Sequence, residues 1–193
     1  ETFENAGGRG AGRRGGFAYS FGMFGNNTAE AENFSELMAG SGGELISRVI
    51  VDSYDLLYGR WPSDYNEVIL VLNEENGISA GTLYQLGLIT KSQYNAAVEK
   101  IKNEEKADEI RFSYEDVLNH TFYLVPACDH YIENNDGTFS YIESSALNDD
   151  KLLENAIELK VTGIVRPVKD ANHADIRTSV AYTSKLTDYI IDR

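Results

Sequence analysis

The chain has 193 residues, 42% hydrophobic content and a formal net charge of −14, which is enough apolar sequence for one sizeable core. Its acidic balance repels phosphate backbones and anionic lipid head groups, which disfavours nucleic-acid and membrane-surface binding. The single cysteine, Cys128, excludes an internal disulfide and a thiolate-rich metal site. The sequence contains no run of about 18 apolar residues, so it predicts no membrane span. Because the chain begins at Glu1 and lacks a signal peptide, we expect a fragment of a longer protein, with processing as the alternative explanation.

The first 43 residues differ in composition from the rest of the chain. They contain most of the 17 glycines, in stretches such as "AGGRGAGRRGGFAYSFGMFGNN". Glycine carries high backbone entropy, and core-forming residues are few in this part. We therefore predict a Gly-rich, partly flexible segment over residues 1–43 and a folded domain over residues 44–193.

The folded part begins with a helical pattern followed by a buried strand. Residues 44–58, "ELISRVIVDSYDLLY", carry apolar side chains at helical spacing, which predicts a helix. These apolar positions are Ile46, Val49, Ile50 and Tyr54. "EVILVL", residues 67–72, is a continuous apolar run rich in β-branched residues, so we predict a strand buried on both faces.

Three polar residues are placed to cap helices. Ser79 precedes a predicted short helix over 80–89, and Ser113 precedes another over 114–120. Between them, Thr90 and Gln93 form a capping box that opens a predicted helix over 91–109. The apolar stripe of that helix consists of Tyr94, Ala97, Val98 and Ile101.

The remaining segments alternate strands with short helices. "TFYLVP", residues 121–126, predicts a strand ended by a proline. Asp136-Gly137 lies between alternating apolar and polar residues, which predicts a β-hairpin over 130–143. "IELKVTGIVRP", residues 157–167, predicts a strand whose inward positions are Ile157, Leu159 and Val161. Helices are predicted over 150–156 and 179–193. The fold class is therefore mixed α/β (α+β), a compact domain with a partly antiparallel sheet flanked by helices.

The stretch "DLLYGRWPSDYNEVILVLNEENG" contains the only tryptophan, Trp61. Acidic and amide residues around that ring suggest an aromatic clamp, but the local chemistry favours a turn. Gly59 permits a tight turn, Pro62 restricts Trp61 to extended geometry, and the polar residues that follow favour a turn. We predict that Trp61 packs over the edge of the core with its N–H on a polar partner.

Motifs that would carry chemistry are incomplete. The G-x-G-x-x-G pattern at 10–15 lacks the preceding strand that dinucleotide binding requires. A calcium-loop pattern at 132–143 has Ile132 where an oxygen ligand belongs. His120, Cys128 and His130 match no zinc spacing and lack a fourth ligand. We therefore predict no catalytic, cofactor-binding or metal site, and a chain that is not an enzyme.

Two blocks resemble a known family. Residues 56–88, "LLYGRWPSDYNEVILVLNEENGISAGTLYQLGL", resemble the G-R-x-P-x-x-x-N-E-V-(V/I)-L segment in extracytoplasmic domains of MacB/FtsX-type ABC transporter permeases. Residues 157–191, "IELKVTGIVRPVKDANHADIRTSVAYTSKLTDYII", resemble the L-K-V-x-G-I-x-R-P strand and following segment of large Gram-positive members. The motif residues are Gly59, Arg60, Trp61, Pro62, Asn66, Glu67, Gly163, Arg166 and Pro167. They are mostly structural, so the resemblance depends on their order and co-occurrence.

The resemblance implies a function and a location. The chain would be a non-catalytic loop domain on the extracellular face of the cytoplasmic membrane. It would couple ATP hydrolysis by a cytoplasmic ABC ATPase, through the membrane helices of a dimeric transporter, to export or release of peptides or amphiphiles. Regulation of an extracellular peptide or protein partner is also expected of this family. The alternative is an autonomous surface or secreted ligand-binding module, suggested by the acidic face and by the aromatic residues of 17–24.

Overall fold

The computed structural model of the chain describes residues 2–6, 34–103, 110–141, 156–169 and 176–193. Within these ranges lie five α-helices and eleven strands, so the predicted mixed α/β class with a mixed sheet is confirmed. In chain order the elements are β1 (Thr2–Ala6), β2 (Phe34–Glu36), α1 (Arg48–Ser53), β3 (Tyr54–Gly59), β4 (Glu67–Val71), β5 (Gly77–Ser79), α2 (Ala80–Gln85), α3 (Lys91–Lys102), β6 (Arg111–Ser113), α4 (Tyr114–Leu118), β7 (Thr121–Leu124), β8 (Tyr131–Glu133), β9 (Phe139–Tyr141), β10 (Ile157–Pro167), β11 (Val180–Tyr182) and α5 (Ser184–Ile191).

The main sheet is organised around β10, which is 11 residues long. Its strands follow the order β2-β11-β4-β10-β3, and β7 also pairs with β10. Strand β10 is parallel to β4, whereas β7 and β3 are antiparallel to it along its first and second parts. Lys160 lies opposite both Glu67 of β4 and Thr121 of β7. Consequently β7 and β3 lie one after the other along the same edge of β10.

The sheet buries both faces. On one face lies the major cluster, in which Val68 and Leu70 pack with Leu83 of α2, Val117 of α4 and Leu186 of α5. On the other face lies the minor cluster, whose buried members are Leu37, Ile50, Tyr54, Ile69, Val71, Val165, Ile176 and Ala181. Successive residues of a strand point to opposite faces, so the continuous apolar run of β4 supplies both clusters. The prediction of a strand buried on both faces is confirmed.

The three predicted caps are confirmed, although two helices differ from their predictions. The side chains of Ser79, Thr90 and Ser113 each accept a hydrogen bond from the first turn of a helix, and Thr90 and Gln93 complete the capping box. Helix α2 ends at Gln85 rather than at residue 89. In α3, Ala97 is buried but Ile101 is 42% exposed, so the last position assigned to its apolar stripe is wrong.

The helix predicted over 44–58 is only partly correct. Ser47 caps α1, which ends at Ser53, and the chain continues directly into β3. Residues Tyr54 to Gly59 pair with the second part of β10. Hydrogen bonding to a long neighbouring strand decides the conformation here, because tertiary context overrides a helical pattern of this length.

The helix predicted over 179–193 is wrong in its first part. Val180–Tyr182 forms β11, which lies between β4 and β2, and all three residues are buried. The helix begins only at Ser184. As a strand, β11 hydrogen-bonds to the backbones of β4 and β2 on its two sides. A short helix at this place would leave the facing N–H and C=O groups of those two strands unpaired.

Parts of the Gly-rich region contribute strands. Strand β1 pairs with β5 and β6 in a three-stranded sheet, and β2 pairs with β11. Leu37, just after β2, lies in the minor cluster, so the sheet includes residues before the predicted boundary at 44. Residues 7–33 and most of the helix predicted over 150–156 lie outside the described residues. Within the ranges that are described, every helix is too short or too polar to cross a membrane.

Candidate functional site

The two motif blocks meet where β3 ends beside β10. Gly59 lies opposite Gly163, and the N–H of Arg60 donates to the carbonyl oxygen of Thr162 at 2.8 Å. A Cβ at Gly59 would clash with that same carbonyl oxygen, and a Cβ at Gly163 would clash with the carbonyl of Arg60. Gly59 also has φ +74°, in the left-handed region that favours glycine. Both glycines are therefore required for the close approach of the two backbones.

The side chains of Arg60 and Glu67 close the turn that follows β3. Arg60 Nη1 donates to Glu67 Oε2 at 2.7 Å, and Nη2 forms an ion pair with Oε1. The backbone N–H of Ser63 donates to the same carboxylate at 2.8 Å. The bond from Arg60, helped by those from Ser63, lowers the pKa of Glu67 to about 2. Because one carboxylate accepts hydrogen bonds from a guanidinium and from a backbone N–H, it holds the two ends of the turn together.

The predicted role of Trp61 at the edge of the core matches its position. Its ring is partly buried and packs against the minor cluster, and the neighbouring Pro62 is buried. The two acidic residues of the turn have other partners: Glu67 accepts from Arg60, and Asp64 accepts from the backbone N–H of the next residue. The stretch is thus a structural turn.

At the far end of β10, Arg166 and Pro167 hold β3 against the sheet. Pro167 lies opposite Tyr54, and Arg166 opposite Asp55. The Arg166 guanidinium donates to Asp55 Oδ2 at 3.3 Å and to Asn76 Oδ1 at 2.9 Å. Arg166 therefore connects β3 with the loop that follows β4.

An open groove of about 430 Å³ lies beside the same turn. Its lining residues are Tyr65, Asn66, Ala156, Ile157, Glu158, Lys160, Tyr189 and Arg193. The carbonyl of Asn66 accepts a 2.9 Å hydrogen bond from the N–H of Lys160. The rings of Tyr65 and Tyr189 stack with centroids 4.1 Å apart. The groove thus joins the turn, the start of β10 and helix α5.

A second contact joins the turn to α5. Lys185 Nζ donates to the carbonyl oxygen of Ser63 at 2.7 Å. Neither Lys185 nor the Tyr65–Tyr189 pair is distinguishable in the sequence, because their positions fit equally well with solvated side chains. Only the packing of α5 beside the turn brings them into contact.

The charged groups of the groove lie close to opposite charges. Lys160 Nζ is 3.7 Å from Glu158, and the Arg193 guanidinium is 3.2 Å from Asp129. Among the described residues, no three His, Cys, Asp or Glu side chains are grouped to hold a metal ion. His120 lies against the Phe122 ring and His130 against the Tyr141 ring. The site can hold structural elements in register, and its groove offers stacked rings and paired charges to a ligand.

Comparisons of the chain with protein-family models, with curated proteins and with solved structures find no match.

Proposed function

We propose that the chain is a non-catalytic extracytoplasmic domain of a MacB/FtsX-type ABC transporter permease. It couples ATP hydrolysis by a cytoplasmic ABC ATPase to export or release of peptides or amphiphiles, or to regulation of an extracellular partner. The observation that carries the proposal is the convergence of the two resembling blocks. Gly59 and Arg60 of the first block pack directly on Thr162 and Gly163 of the second, so residues of the two blocks meet in one structural unit.

The contacts around this unit suit a domain that transmits movement. In the proposed permease, α5 leads towards the next membrane helix. Lys185 and Tyr189 join α5 to the turn at residues 59–67, and the turn is bonded to β10 through Arg60 and Asn66. A displacement of α5 would therefore reach the central strand through packed, hydrogen-bonded groups.

The gene that encodes the chain provides the first test. We expect one hydrophobic span before Glu1, three after Arg193, and an ABC ATPase encoded nearby. A parent protein lacking four such spans would overturn the proposal. That result would favour the alternative, an autonomous surface or secreted binding module.

Placement outside the cell is tested by labelling. Within this chain, Cys128→Ser combined with Asp136→Cys leaves one thiol, on an exposed turn, and cysteines elsewhere in the parent protein are replaced by serine. We expect a membrane-impermeant maleimide to label this thiol in intact cells expressing the parent protein. Labelling that appears only after lysis would contradict an extracytoplasmic position. The Cys128→Ser protein without the added cysteine controls for background.

A further inference from the structure

The β8–β9 hairpin presents aromatic side chains to solvent. Tyr131 pairs with Tyr141, and Glu133 with Phe139. Since alternate residues of a strand share a face, these four side chains lie on one face, which we call the hairpin face. Tyr131, Phe139 and Tyr141 are 45%, 66% and 51% exposed. Three neighbouring exposed aromatics on one short hairpin exceed the scattered apolar residues of an ordinary surface.

The hairpin is shaped by its own turn. The N–H of Asn134 donates to the carbonyl of Thr138 at 2.7 Å, and Asp136 Oδ1 accepts from the N–H of Thr138 at 3.0 Å. Gly137, at φ +79°, closes the turn. None of the described hairpin residues belongs to the major or minor cluster. The aromatic rings of the hairpin face are therefore not needed to fill either core.

The rings of the hairpin face are already arranged for contact. Tyr131 and Tyr141 have ring centroids 5.3 Å apart, and the centroid of the His130 ring lies 5.7 Å from that of Tyr141. Rings in mutual contact lose little conformational freedom when a partner binds, so they are suitable anchors. An amphipathic segment could lay its apolar side chains on this row.

The negative charges of the hairpin favour a positively charged partner. Glu133 lies within the hairpin face opposite Phe139, and Asp136 lies at the tip of the turn. Hydrogen bonds from Thr138 lower the pKa of Asp136, which keeps its carboxylate ionised. Cations also favour the faces of aromatic rings. A second copy of a chain with net charge −14 and an anionic membrane would both be repelled.

We propose that the hairpin face is a docking surface for a cationic, amphipathic peptide segment of a partner protein. Lysine or arginine side chains of the segment pair with Glu133 and lie over the Tyr131 ring, while its apolar side chains cover Phe139 and Tyr141. The proposal does not depend on the transporter assignment, because it rests on the hairpin alone. Its failure would leave that assignment unaffected.

The test is a calorimetric titration of the full chain with two decapeptides. One alternates lysine with leucine and the other alternates glutamate with leucine, so the two match in apolar content. We expect saturable binding of the lysine peptide, weakened by added salt, and no saturable binding of the glutamate peptide. Equal affinities, or no binding of either peptide, would overturn the proposal.

Variants locate the binding surface. The double substitution Phe139→Ala and Tyr141→Ala is expected to weaken binding of the lysine peptide about tenfold. Glu133→Gln is expected to weaken it about threefold and to flatten its salt dependence. Tyr123→Ala is the matched control and should leave the affinity unchanged, because Tyr123 is a 58% exposed aromatic on β7, which pairs with β10 and not with the hairpin. An equal loss in the control, or unchanged affinity in Glu133→Gln, would contradict the proposed face.

Two further measurements separate other occupants. Concentration-dependent dimerisation in sedimentation that Phe139→Ala abolishes would replace the peptide by a second copy of the chain. Binding to phosphatidylcholine–phosphatidylglycerol vesicles that Phe139→Ala abolishes would replace it by a lipid surface. Melting curves check the fold of each variant. If truncation of the rings alters the hairpin, Glu133→Gln still tests the proposal, because this substitution removes only a charge.

Discussion

The turn at residues 59–67 and the hairpin at residues 131–141 are both short connections rich in polar and aromatic residues, yet they are built in opposite ways. In the turn, Arg60 donates hydrogen bonds to Glu67, and the Trp61 ring packs against the minor cluster. In the hairpin, Glu133 and the rings beside it face solvent. Composition alone does not separate a structural turn from an interaction surface. They differ in whether their side chains pack against the main sheet and its core or remain exposed to solvent.

The two regions each contain a glycine with positive φ, and alanine substitution should show the largest contrast. Gly59→Ala is expected to lower the free energy of unfolding by about 3 kcal/mol, since left-handed strain adds to a clash with Thr162. Gly137→Ala meets open space on a hairpin whose described residues belong to neither core cluster, so the strain of about 1 kcal/mol is the upper limit of its loss. Urea denaturation measures both. Equal losses would show that the backbones of β3 and β10 can separate at no cost.

Truncation of one aromatic in each region sharpens the contrast. Trp61→Ala should lower the free energy of unfolding by about 2 kcal/mol, less than the ~3–5 kcal/mol of a fully buried aromatic, because its ring is only partly buried. Phe139→Ala should change it by about 0.5 kcal/mol or less, since Phe139 contributes to neither core cluster. Thermal melting distinguishes the two. An unchanged melting temperature in Trp61→Ala would remove the structural role of the turn.

A charge in each region gives a pH-dependent test. The pKa of Glu67 falls from 4.5 to about 2 on folding, so its contribution is present above pH 4.5 and is lost as the pH falls towards 2. Glu67→Gln should lower the free energy of unfolding at pH 7 by about 1–2 kcal/mol. This is less than the full pKa shift implies, because solvent screens the exposed guanidinium of Arg60.

The comparison for Glu67 is made by denaturation at several pH values. The deficit of Glu67→Gln relative to the native protein should shrink from pH 5 to pH 2. Asp136→Asn, on the exposed hairpin turn, should produce a smaller change at pH 7. A deficit of Glu67→Gln that stays constant down to pH 2 would be inconsistent with the Arg60 contact as its source.

The smallest expected effect concerns ring stacking. Tyr189→Leu removes the ring that stacks on Tyr65 and should lower the free energy of unfolding by about 0.5–1 kcal/mol. Tyr141→Leu also removes a ring-to-ring contact, but within the hairpin, so global stability should not change measurably. Denaturation curves of the two variants test this difference. Equal losses would mean that the hairpin unfolds together with the core.

Local signals in the sequence predicted the caps, the hairpin and the buried strand. Ser79, Thr90 and Ser113 act on the first turn of their own helices, and Gly137 acts within a turn of a few residues. The structure therefore confirms these features. The segments 54–58 and 180–182 were predicted wrongly, because their strand conformation depends on partners far away in the chain.

The candidate site was predictable only in part. The motif residues from Gly59 to Glu67 and from Gly163 to Pro167 were identified by their resemblance to a family. The contacts of Lys185 and Tyr189 with the turn were not, because no local pattern marks a side chain that reaches across to another element. The hairpin itself was predicted, but the exposure of its rings depends on its position outside both core clusters.

By itself, the sequence determined the mixed α/β class, the helix caps, the hairpin turn and the acidic balance that disfavours anionic partners. These properties arise from neighbouring residues or from composition, so no long-range contact is needed to establish them. Tertiary structure alone decided that β10 would pair with β4, β7 and β3, and that Gly59 would lie against Gly163. It also decided which aromatic residues were buried and which remained exposed. Each of these depends on segments far apart in the chain meeting across a shared sheet.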